Sequence, residues 1–446
     1  MAGYGNDPDA WRVADTARRI ASENKYSASR LPGFPVQEII CSFLWTGGPF
    51  ALNSVTALFS ALSVSFFSFI MKFYGSRDYV LGSFAFAFTP VIYINSTNSM
   101  DYLWALAFIL GSFYFVLIRK PLVAGLFLGI AIGCRVTSVA MFVPLFLLLI
   151  SQEPNDFNHR DRLTFFLGTF FVSIFVYLPV FLRYGTHRFA YPGIHFPWVL
   201  DIFYKASIMV WGCIGSLALF VVILSRFFRN SLSLKESSIS KSLPVVHIRT
   251  WIITISLYSI IFFLSPLESG YLIPIIPFIL LLLGRTLERR IFHFLCIALL
   301  LSPIFLGMKR SDLPGGEISS DLALKFNIRN RQLVLDLLNG PIFSDYWRRV
   351  ERMVFTERVI SRGNFLGEKT VIVAGWLYPE IRVAMPSDPS EGVEYVELLN
   401  ESQLKNYINQ DYQVYFLPGQ RNHNFNVCGI DLKEFGALPL LPDEEL

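Results

Sequence analysis

The sequence is poor in charge for its length. Only 16% of its 446 residues are Asp, Glu, Lys or Arg, whereas 53% are hydrophobic and the mean hydropathy is +0.48. In a soluble protein, roughly a quarter of all residues are charged, so this composition predicts a polytopic membrane protein with a smaller water-soluble part. The net charge of +4 is small. Its basic residues fall mostly in short loops between apolar segments, which sets membrane topology and argues against nucleic-acid binding.

Cysteine clusters and nucleotide-binding motifs are also lacking. The five cysteines are widely spaced, so they predict neither a metal cluster nor a disulfide framework. His187 and His195 are too loosely spaced to argue for a metal pair. The glycines of GTHRFAYPG and GLFLGIAIG do not match a Walker or Rossmann spacing, which argues against ATP hydrolysis and dinucleotide binding. The first 38 residues are polar and contain no apolar run typical of a signal peptide.

The apolar residues form about ten segments. They lie at about 51–73, 79–95, 102–118, 121–133, 136–150, 163–183, 207–227, 250–265, 270–284 and 291–307. Several are shorter than the roughly 20 residues that a straight membrane helix needs. The pair 121–133 and 136–150 predicts two short helices broken around Gly133-Cys134-Arg135, and such a break is tolerated where it lines a cavity.

The basic residues of the loops predict an orientation in the membrane. By the positive-inside rule, the richer set of alternate loops lies in the cytoplasm. This set contains Lys72, Arg77, Arg119, Lys120, Arg160, Arg162, Arg226, Arg229, Lys235, Lys241, Arg249, Arg285, Arg289 and Arg290. The opposite set contains Arg135, Arg183, Arg188 and Lys205. The N-terminal arm, the loops at 184–206 and 266–269 and the C-terminal region are therefore expected on the outer face.

Three domains are predicted: an outward arm at 1–50, a transmembrane domain at 51–308 and an extracytoplasmic domain at 309–446. An outer N-terminus normally follows a membrane helix, so we expect a first helix upstream of the arm, with a true N-out protein as the alternative. In the last domain, 369–378, 393–399 and 412–417 predict strands and 401–410 predicts a helix, which indicates a small α/β fold. Residues 309–366 are expected to be mostly helical.

The arm contains the first candidates for chemistry. Asp7 and Asp9 open a predicted amphipathic helix that begins at Ala10 and is closed by the rigid turn SRLPGFP at 29–35. A carboxylate beside an apolar surface can have a raised pKa and accept a proton from an attacking hydroxyl. Either residue could instead cap the helix, or the two could divide these roles.

Two further charged residues lie at the ends of apolar segments, where burying a charge is energetically unfavourable. Asp101 follows the polar run NSTNSM at the outer end of an apolar segment, where it is a second acidic candidate or a helix cap. Arg135 lies between two short apolar segments, and an arginine at such a depth must be paired or solvated. Because guanidinium binds phosphate in a bidentate manner, Arg135 is a candidate phosphate ligand. The alternative is a side chain that snorkels to the surface.

The outer loops supply the remaining candidates. Arg183, His187 and Arg188 lie among aromatic residues, as does Lys205 at the end of the same loop, and this suits an anionic head group at the interface. The aromatic residues are equally typical of an interfacial belt. Glu268 lies in a very short outer loop, where its carboxylate either faces a cavity mouth or favours the dipole of the next helix.

Several stretches together resemble the GT-C superfamily of polytopic glycosyltransferases, which use lipid-phosphate sugars and include the protein mannosyltransferases and the lipid A aminoarabinose transferases. The stretches are DPDAW at 7–11 with SRLPGFP at 29–35, Asp101, GIAIGCRVT at 129–137 and ESGYLIPIIP at 268–277. Each motif is weak alone, but they occur in order and on one predicted side of the membrane. Arg30 and Tyr271 lie within these motifs and join the candidates for substrate binding.

The resemblance implies inverting transfer of a sugar from a polyprenyl-phosphate or polyprenyl-diphosphate donor to a hydroxyl of a glycan, lipid or protein acceptor. It also implies that an Asp of the first outer loop is the base. We carry this role to Asp9, with Asp7 as the alternative and Asp101 as a further acidic candidate. Arg135 or outer-loop cations would stabilise the leaving phosphate. Some members need a divalent cation such as Mg²⁺ or Mn²⁺ and others do not, which leaves a metal open. A bacterial or archaeal cell membrane is favoured over the ER membrane.

Two other classes of function compete with this interpretation. A transporter or lipid flippase would explain the broken helices and the intramembrane arginine, but it predicts an internal repeat, which the sequence lacks. A membrane scaffold whose outer domain binds partners would leave the acidic arm unexplained.

Overall fold

The structure is a computed structural model that describes residues 3–151, 158–186, 196–228, 239, 243–311, 322–328, 331–385, 393–417 and 424–441. The helices are α1 (Pro8–Glu23), α2 (Pro35–Leu44), α3 (Gly48–Phe73), α4 (Tyr79–Ala87), α5 (Pro90–Asn95), α6 (Tyr102–Leu117), α7 (Pro121–Cys134), α8 (Phe142–Ser151), α9 (His159–Tyr184), α10 (Val199–Ala206), α11 (Ile208–Phe228), α12 (Val245–Leu264), α13 (Ile276–Thr286), α14 (Arg289–Leu301), α15 (Pro341–Asn364), α16 (Tyr378–Ala384) and α17 (Glu401–Asn409). The strands are β1 (Gly307–Ser311), β2 (Ala323–Ile328), β3 (Arg331–Asp336), β4 (Thr370–Val373), β5 (Val393–Val396), β6 (Gln413–Phe416) and β7 (Leu438–Pro439).

The chain is an integral membrane protein of the predicted polytopic α-helical class. The helical stretches long and apolar enough to cross a membrane are Pro35–Phe73, His159–Tyr184, Ile208–Ser225, Val245–Leu264 and Ser269–Thr286. Shorter apolar stretches at Tyr102–Leu117, Pro121–Cys134 and Val136–Ser151 pack with them. The apolar segment predicted at about 51–73 corresponds to α3, which begins at Gly48. The 3-10 turn Trp45–Gly47 and Gly48, with φ +61°, separate it from the apolar helix α2.

Three glycines of α7 bring it into close contact with α9. Gly125, Gly129 and Gly133 repeat at every fourth residue, so they lie on one face of the helix. A Cβ atom at Gly125 would approach the carbonyl oxygen of Phe165 to 2.4 Å, and one at Gly133 would approach a methyl group of Val176 to 2.2 Å. Small residues at this spacing let membrane helices pack backbone against backbone. The end of α7, where Arg135 follows, is therefore held firmly against its neighbour.

The predicted break around Arg135 is confirmed. The helix α7 ends at Cys134, Arg135 adopts an extended conformation with φ −158° and ψ 118°, and a 3-10 helix continues from Val136 to Met141. The Arg135 side chain is therefore attached at the break between the two helices, where the chain changes direction.

The C-terminal region contains two sheets. The strands β4, β5, β6 and β7 form a parallel sheet of order β5-β4-β6-β7, with apolar clusters on both faces. The predicted strands at 369–378, 393–399 and 412–417 and the helix at 401–410 correspond to β4, β5, β6 and α17. The first strand is shorter than predicted, because Gly375 has φ +54° and a 3-10 turn leads into α16.

The prediction that 309–366 is mostly helical is wrong for its first half. The strands β1, β3 and β2 form an antiparallel sheet, and helix α15 follows only from Pro341. Leu324 and Phe326 alternate with polar residues in β2, and the register pairs Leu324 with Leu335 and Phe326 with Leu333 of β3. A period of two is the strand pattern, and it outweighs the high charge of this segment.

Candidate active site

The arm begins with two carboxylates at a helix N-terminus. Asp7 is the N-cap of α1, and its side chain accepts a hydrogen bond of 2.8 Å from the backbone N–H of Asp9. The helix begins at Pro8, two residues before the predicted start. Its apolar face, including Ala10 and Val13, is fully buried against neighbouring helices. Burial of this face fixes the position of both carboxylates.

A single carboxylate, Glu38, organises the turn that closes the arm. It accepts hydrogen bonds from the backbone N–H of Ser29 at 2.7 Å, the Ser29 hydroxyl at 2.6 Å and the backbone N–H of Phe34 at 3.0 Å, as well as from the Tyr26 hydroxyl. Glu38 is fully buried in α2. These bonds hold the loop on both sides of Arg30, whose guanidinium lies 4.2 Å from the centre of the Phe34 ring.

Charged side chains of the arm and of the membrane helices form a continuous network. Arg30 pairs with Asp9 at 3.2 Å and also with Asp101. Arg135 pairs with the other oxygen of Asp101 at 2.6 Å. Asp9 pairs in addition with Arg12 at 2.7 Å. Asp101 is completely buried and has a basic residue on each carboxylate oxygen, so the network joins the arm to the membrane helices.

Aromatic rings enclose the Arg135 end of this network. The Arg135 guanidinium lies 4.1 Å from the centre of the Tyr102 ring and 4.8 Å from that of Tyr271. Cation–π contacts of this kind stabilise a charge that has left bulk water. The Tyr102 hydroxyl donates a hydrogen bond to Glu268. Gly270 permits this approach, because a Cβ atom there would lie 2.5 Å from the Tyr102 ring.

A cavity of about 350 Å³ with several charged side chains in an otherwise largely apolar wall adjoins the network. Asp7, Glu268 and Asp345 contribute carboxylates to its wall, and Lys205 and Arg348 contribute basic groups. Asn98, which is 5% exposed, is another lining residue, and its Oδ1 has no hydrogen-bond partner in the structure. A volume of this order is typical of small-molecule sites.

The two arm carboxylates differ in their electrostatic surroundings. Burial and the nearby Asp9 charge raise the pKa of Asp7 above its ordinary value. Burial would also raise the pKa of Asp9, but Arg30 and Arg12 outweigh it and hold that pKa below the ordinary value. Burial, together with Asp7 and Asp9, raises the pKa of Glu268. Asp7 is therefore the arm carboxylate more suited to accept a proton.

The structure brings most of the predicted site residues together. Asp7, Asp9, Arg30, Asp101, Arg135, Glu268 and Tyr271 all belong to the network, its aromatic enclosure or the cavity wall. Arg183 does not join them: it lies exposed in the last turn of α9. His187 and Arg188 lie outside the described residues.

Several site residues were not among the sequence-based candidates. Arg12 lies one helical turn after Asp9, and Tyr102 directly follows Asp101, so both could have been found from their spacing. Glu397 pairs with Arg12 from the end of β5, and Arg348 reaches the cavity from α15. No sequence pattern indicates these last two contacts.

The described residues contain no group of three or more His, Cys, Asp or Glu side chains arranged to hold a metal ion. What the site offers is the partly buried carboxylate of Asp7, whose pKa is raised, beside fixed cations and a cavity. Such a set can deprotonate a hydroxyl and stabilise a developing anion.

Comparison with known proteins gives a likeness of fold. No family model and no curated protein matches the sequence. The solved structure of ArnT from Cupriavidus metallidurans bound to undecaprenyl phosphate resembles this chain with a TM-score of 0.53 and 11% sequence identity. The alignment covers 92% of this chain and 84% of that protein. The chain therefore shares the fold of ArnT over nearly its whole length, which agrees with the polytopic fold that the sequence resemblance implied.

Proposed function

We propose that this protein is a membrane glycosyltransferase that moves a sugar from a polyprenyl-phosphate donor to a hydroxyl acceptor. The observation that carries the proposal is the meeting of the arm carboxylates with the Arg30–Asp101–Arg135 network beside a cavity at the ends of apolar helices. A fold like that of ArnT, whose structure holds undecaprenyl phosphate, supports a lipid-linked donor. The acceptor is a glycan, lipid or protein, and the reaction takes place on the outer face.

The base that we propose is Asp7, in preference to Asp9. Asp7 borders the cavity, whereas Asp9 is engaged by two arginines. A raised pKa brings a carboxylate closer to the value at which general-base catalysis is most effective. In this proposal, Asp9 holds Arg30 and Arg12 in position through its two ion pairs.

The proposed reaction is a single in-line displacement. The acceptor oxygen attacks the anomeric carbon as the bond from that carbon to the phosphate oxygen breaks, and Asp7 takes the hydroxyl proton. The configuration of the anomeric carbon is inverted, and polyprenyl phosphate leaves with the bonding electron pair. Fixed cations stabilise the negative charge on the leaving group.

The basic residues of the site differ in how far they can stabilise the negative charge of the leaving phosphate. Arg30 and Arg135 share Asp101, so much of their charge is already compensated. Arg30 keeps one Nη1 without a hydrogen-bond partner, but this atom is buried and Arg30 does not line the cavity. Lys205 lines the cavity, and its Nζ donates to the carbonyl oxygen of Leu267 at 2.7 Å. Lys205, in the last turn of α10, is therefore better placed for the phosphate than Arg135.

The experiment is transfer of a radiolabelled hexose from its polyprenyl phosphate in membranes, comparing wild type with Asp7→Asn and Asp9→Asn. Loss of a general base lowers the rate by about 10²- to 10⁴-fold. We expect that loss for Asp7→Asn. Asp411→Asn, at an exposed position with φ +62°, is a matched control that should retain activity. An unchanged rate for Asp7→Asn would refute the assignment of the base. Failure of wild type to consume any polyprenyl-phosphate sugar would make transport the leading hypothesis.

A further inference from the structure

The antiparallel sheet of β1, β3 and β2 exposes apolar side chains at one end. Four leucines, each 38% to 53% exposed, form this sheet patch: Leu322, Leu324, Leu337 and Leu338. Ala323, beside Leu324, pairs with Asp336, which in turn pairs with Gly307 at the start of β1. The sheet patch therefore lies at the end of the sheet where β1 begins. Clustered apolar side chains on a surface mark a place of contact with a partner or a membrane.

This end of the sheet is fixed to the end of helix α14, which stops at Leu301 shortly before β1. The backbone N–H of Leu306 donates to the carbonyl oxygen of Leu337 at 3.3 Å, and that of Gly340 donates to the carbonyl oxygen of Ile304 at 3.0 Å. A Cβ atom at Gly340 would lie 2.3 Å from the carbonyl carbon of Ile304, so only glycine permits this approach. The sheet patch is thus held at the level where α14 ends.

Helix α14 exposes an apolar stripe that suits contact with lipid. The helix packs against α11, which is long and apolar enough to cross a membrane. Phe294, Ile297 and Leu301 are three or four residues apart, so they share one face, and they are 42% to 55% exposed. Phe305, which directly precedes Leu306, is also exposed. The apolar stripe of α14 therefore ends beside the sheet patch.

Aromatic residues at the start of α15 lie at the same level. The backbone N–H of Ile342 donates to the carbonyl oxygen of Pro303 at 3.1 Å, so this helix also begins at the end of α14. Its first turns carry three aromatic residues on one face, each 41% to 52% exposed: Phe343, Tyr346 and Trp347. Tyrosine and tryptophan are enriched where a membrane meets water, because their rings are apolar with a polar tip. Lys325, exposed next to Leu324, has a long basic side chain that can reach lipid phosphates.

We propose that the sheet patch and the aromatic face of α15 insert into the head-group region of the lipid bilayer, on the side of the membrane where α14 ends. The occupant is a phospholipid layer, because the patch continues the apolar stripe of a helix that belongs to the membrane bundle. This contact anchors the C-terminal region to the bilayer surface. It lies outside the sugar-transfer site and does not depend on the proposed function.

The experiment measures lipid contact with a fluorescent label in the full-length protein. Leu324→Cys and, separately, Leu338→Cys are labelled with the NBD fluorophore, after Cys213→Ser and Cys428→Ser have removed the two cysteines that are not buried. The protein is reconstituted in vesicles of phosphatidylcholine and phosphatidylglycerol. We expect a large loss of NBD emission when the phosphatidylcholine carries a doxyl group near its head group, and little loss with iodide in the water phase.

Glu368→Cys is the matched control at the other end of the C-terminal region. Glu397 follows β5 and pairs with Arg12, so the carboxyl ends of the parallel strands face the arm. The exposed Glu368 precedes β4 and therefore lies at the opposite end of this sheet. A label there should be quenched by iodide and not by the doxyl lipid.

The depth of the label gives a second test. Phe326 is two residues further from the end of α14 than Leu324, and a strand rises about 3.3 Å per residue. A label at Phe326→Cys should therefore lie shallower than one at Leu324→Cys, by up to about 7 Å. A deeper position at 326 would refute the proposed orientation of the sheet.

The other outcomes are equally decisive, because both labelled leucines are exposed and a Tm equal to that of wild type shows that each labelled protein is folded. Equal quenching by doxyl lipid at positions 324, 338 and 368 would refute the bilayer contact. Emission at 324 and 338 that resists both quenchers in vesicles, but becomes sensitive to iodide when single copies are placed in nanodiscs, would assign the patch to a second copy of the chain. Since no sugar donor is used, these results stand whether or not the protein transfers sugar.

Discussion

Removing the negative charge of Asp101 should destabilise the protein markedly. The Asp101 side chain is 0% exposed, and those of Arg30 and Arg135 are only 15% and 12% exposed, so solvent screens these ion pairs little. In Asp101→Asn, the amide keeps one oxygen for one guanidinium and turns an NH₂ group towards the other. Removal of one partner from a buried ion pair costs about 3–5 kcal/mol. We expect a loss of this size in the free energy of unfolding, with a loss of sugar transfer.

The assay is thermal unfolding of the purified protein in detergent, followed by tryptophan fluorescence, together with sugar transfer. The exposed substitution Asp411→Asn is the matched control and should leave Tm unchanged. Adding Arg135→Gln to Asp101→Asn should recover part of the loss, because one uncompensated charge is removed. A Tm for Asp101→Asn equal to that of wild type would refute the view that Asp101 is the central counter-ion of the network.

Three further results follow from the site. Burial and the Asp9 charge raise the pKa of Asp7, so this base becomes protonated at a higher pH than an exposed carboxyl group. We therefore expect kcat/KM to fall as the pH is lowered through this raised pKa. A kcat/KM that stays constant until the pH reaches the ordinary pKa of Asp would contradict this. Tyr102→Phe removes the hydrogen bond to Glu268 and should lower stability by about 1–3 kcal/mol in chemical unfolding, and an unchanged unfolding midpoint would argue against that contact. Glu38→Gln weakens the hydrogen bonds that hold the loop around Arg30, so protease cleavage within 26–34 should accelerate; equal cleavage rates in variant and wild type would show that Glu38 does not organise the loop.

Local patterns predicted most of the membrane fold and part of the site. Apolar runs identified the helices, and the interrupted run around Arg135 identified the break, because backbone geometry at a Gly-Cys-Arg junction is set by nearby residues. The polar runs at Asp7 and Asp101 marked helix ends. The antiparallel sheet β1–β3 was missed, because its charged residues obscured the alternation of Leu324 and Phe326.

The partners of each charge could not be predicted in the same way. A sequence shows that Arg135 needs a counter-ion, but it does not show that Asp101 serves Arg30 as well. The positions of Arg348 and Lys205 on one cavity depend on how α15 and α10 pack, which involves residues far apart in the chain. The periodicity of apolar residues predicts which face of a helix is buried, whereas tertiary packing determines which residues contact that face.

The pair between Arg12 and Glu397 joins residues that are 385 positions apart. During synthesis, the arm is made well before Glu397, which follows Arg12 by 385 positions. A nascent chain therefore cannot complete the surroundings of Asp9 until β5 and the residue after it have been translated. A fragment that ends before β5 would contain the described apolar helices and the acidic arm, yet its Arg12 would lack this carboxylate. Complete assembly of the charge network thus depends on the C-terminal sheet as well as on the membrane helices.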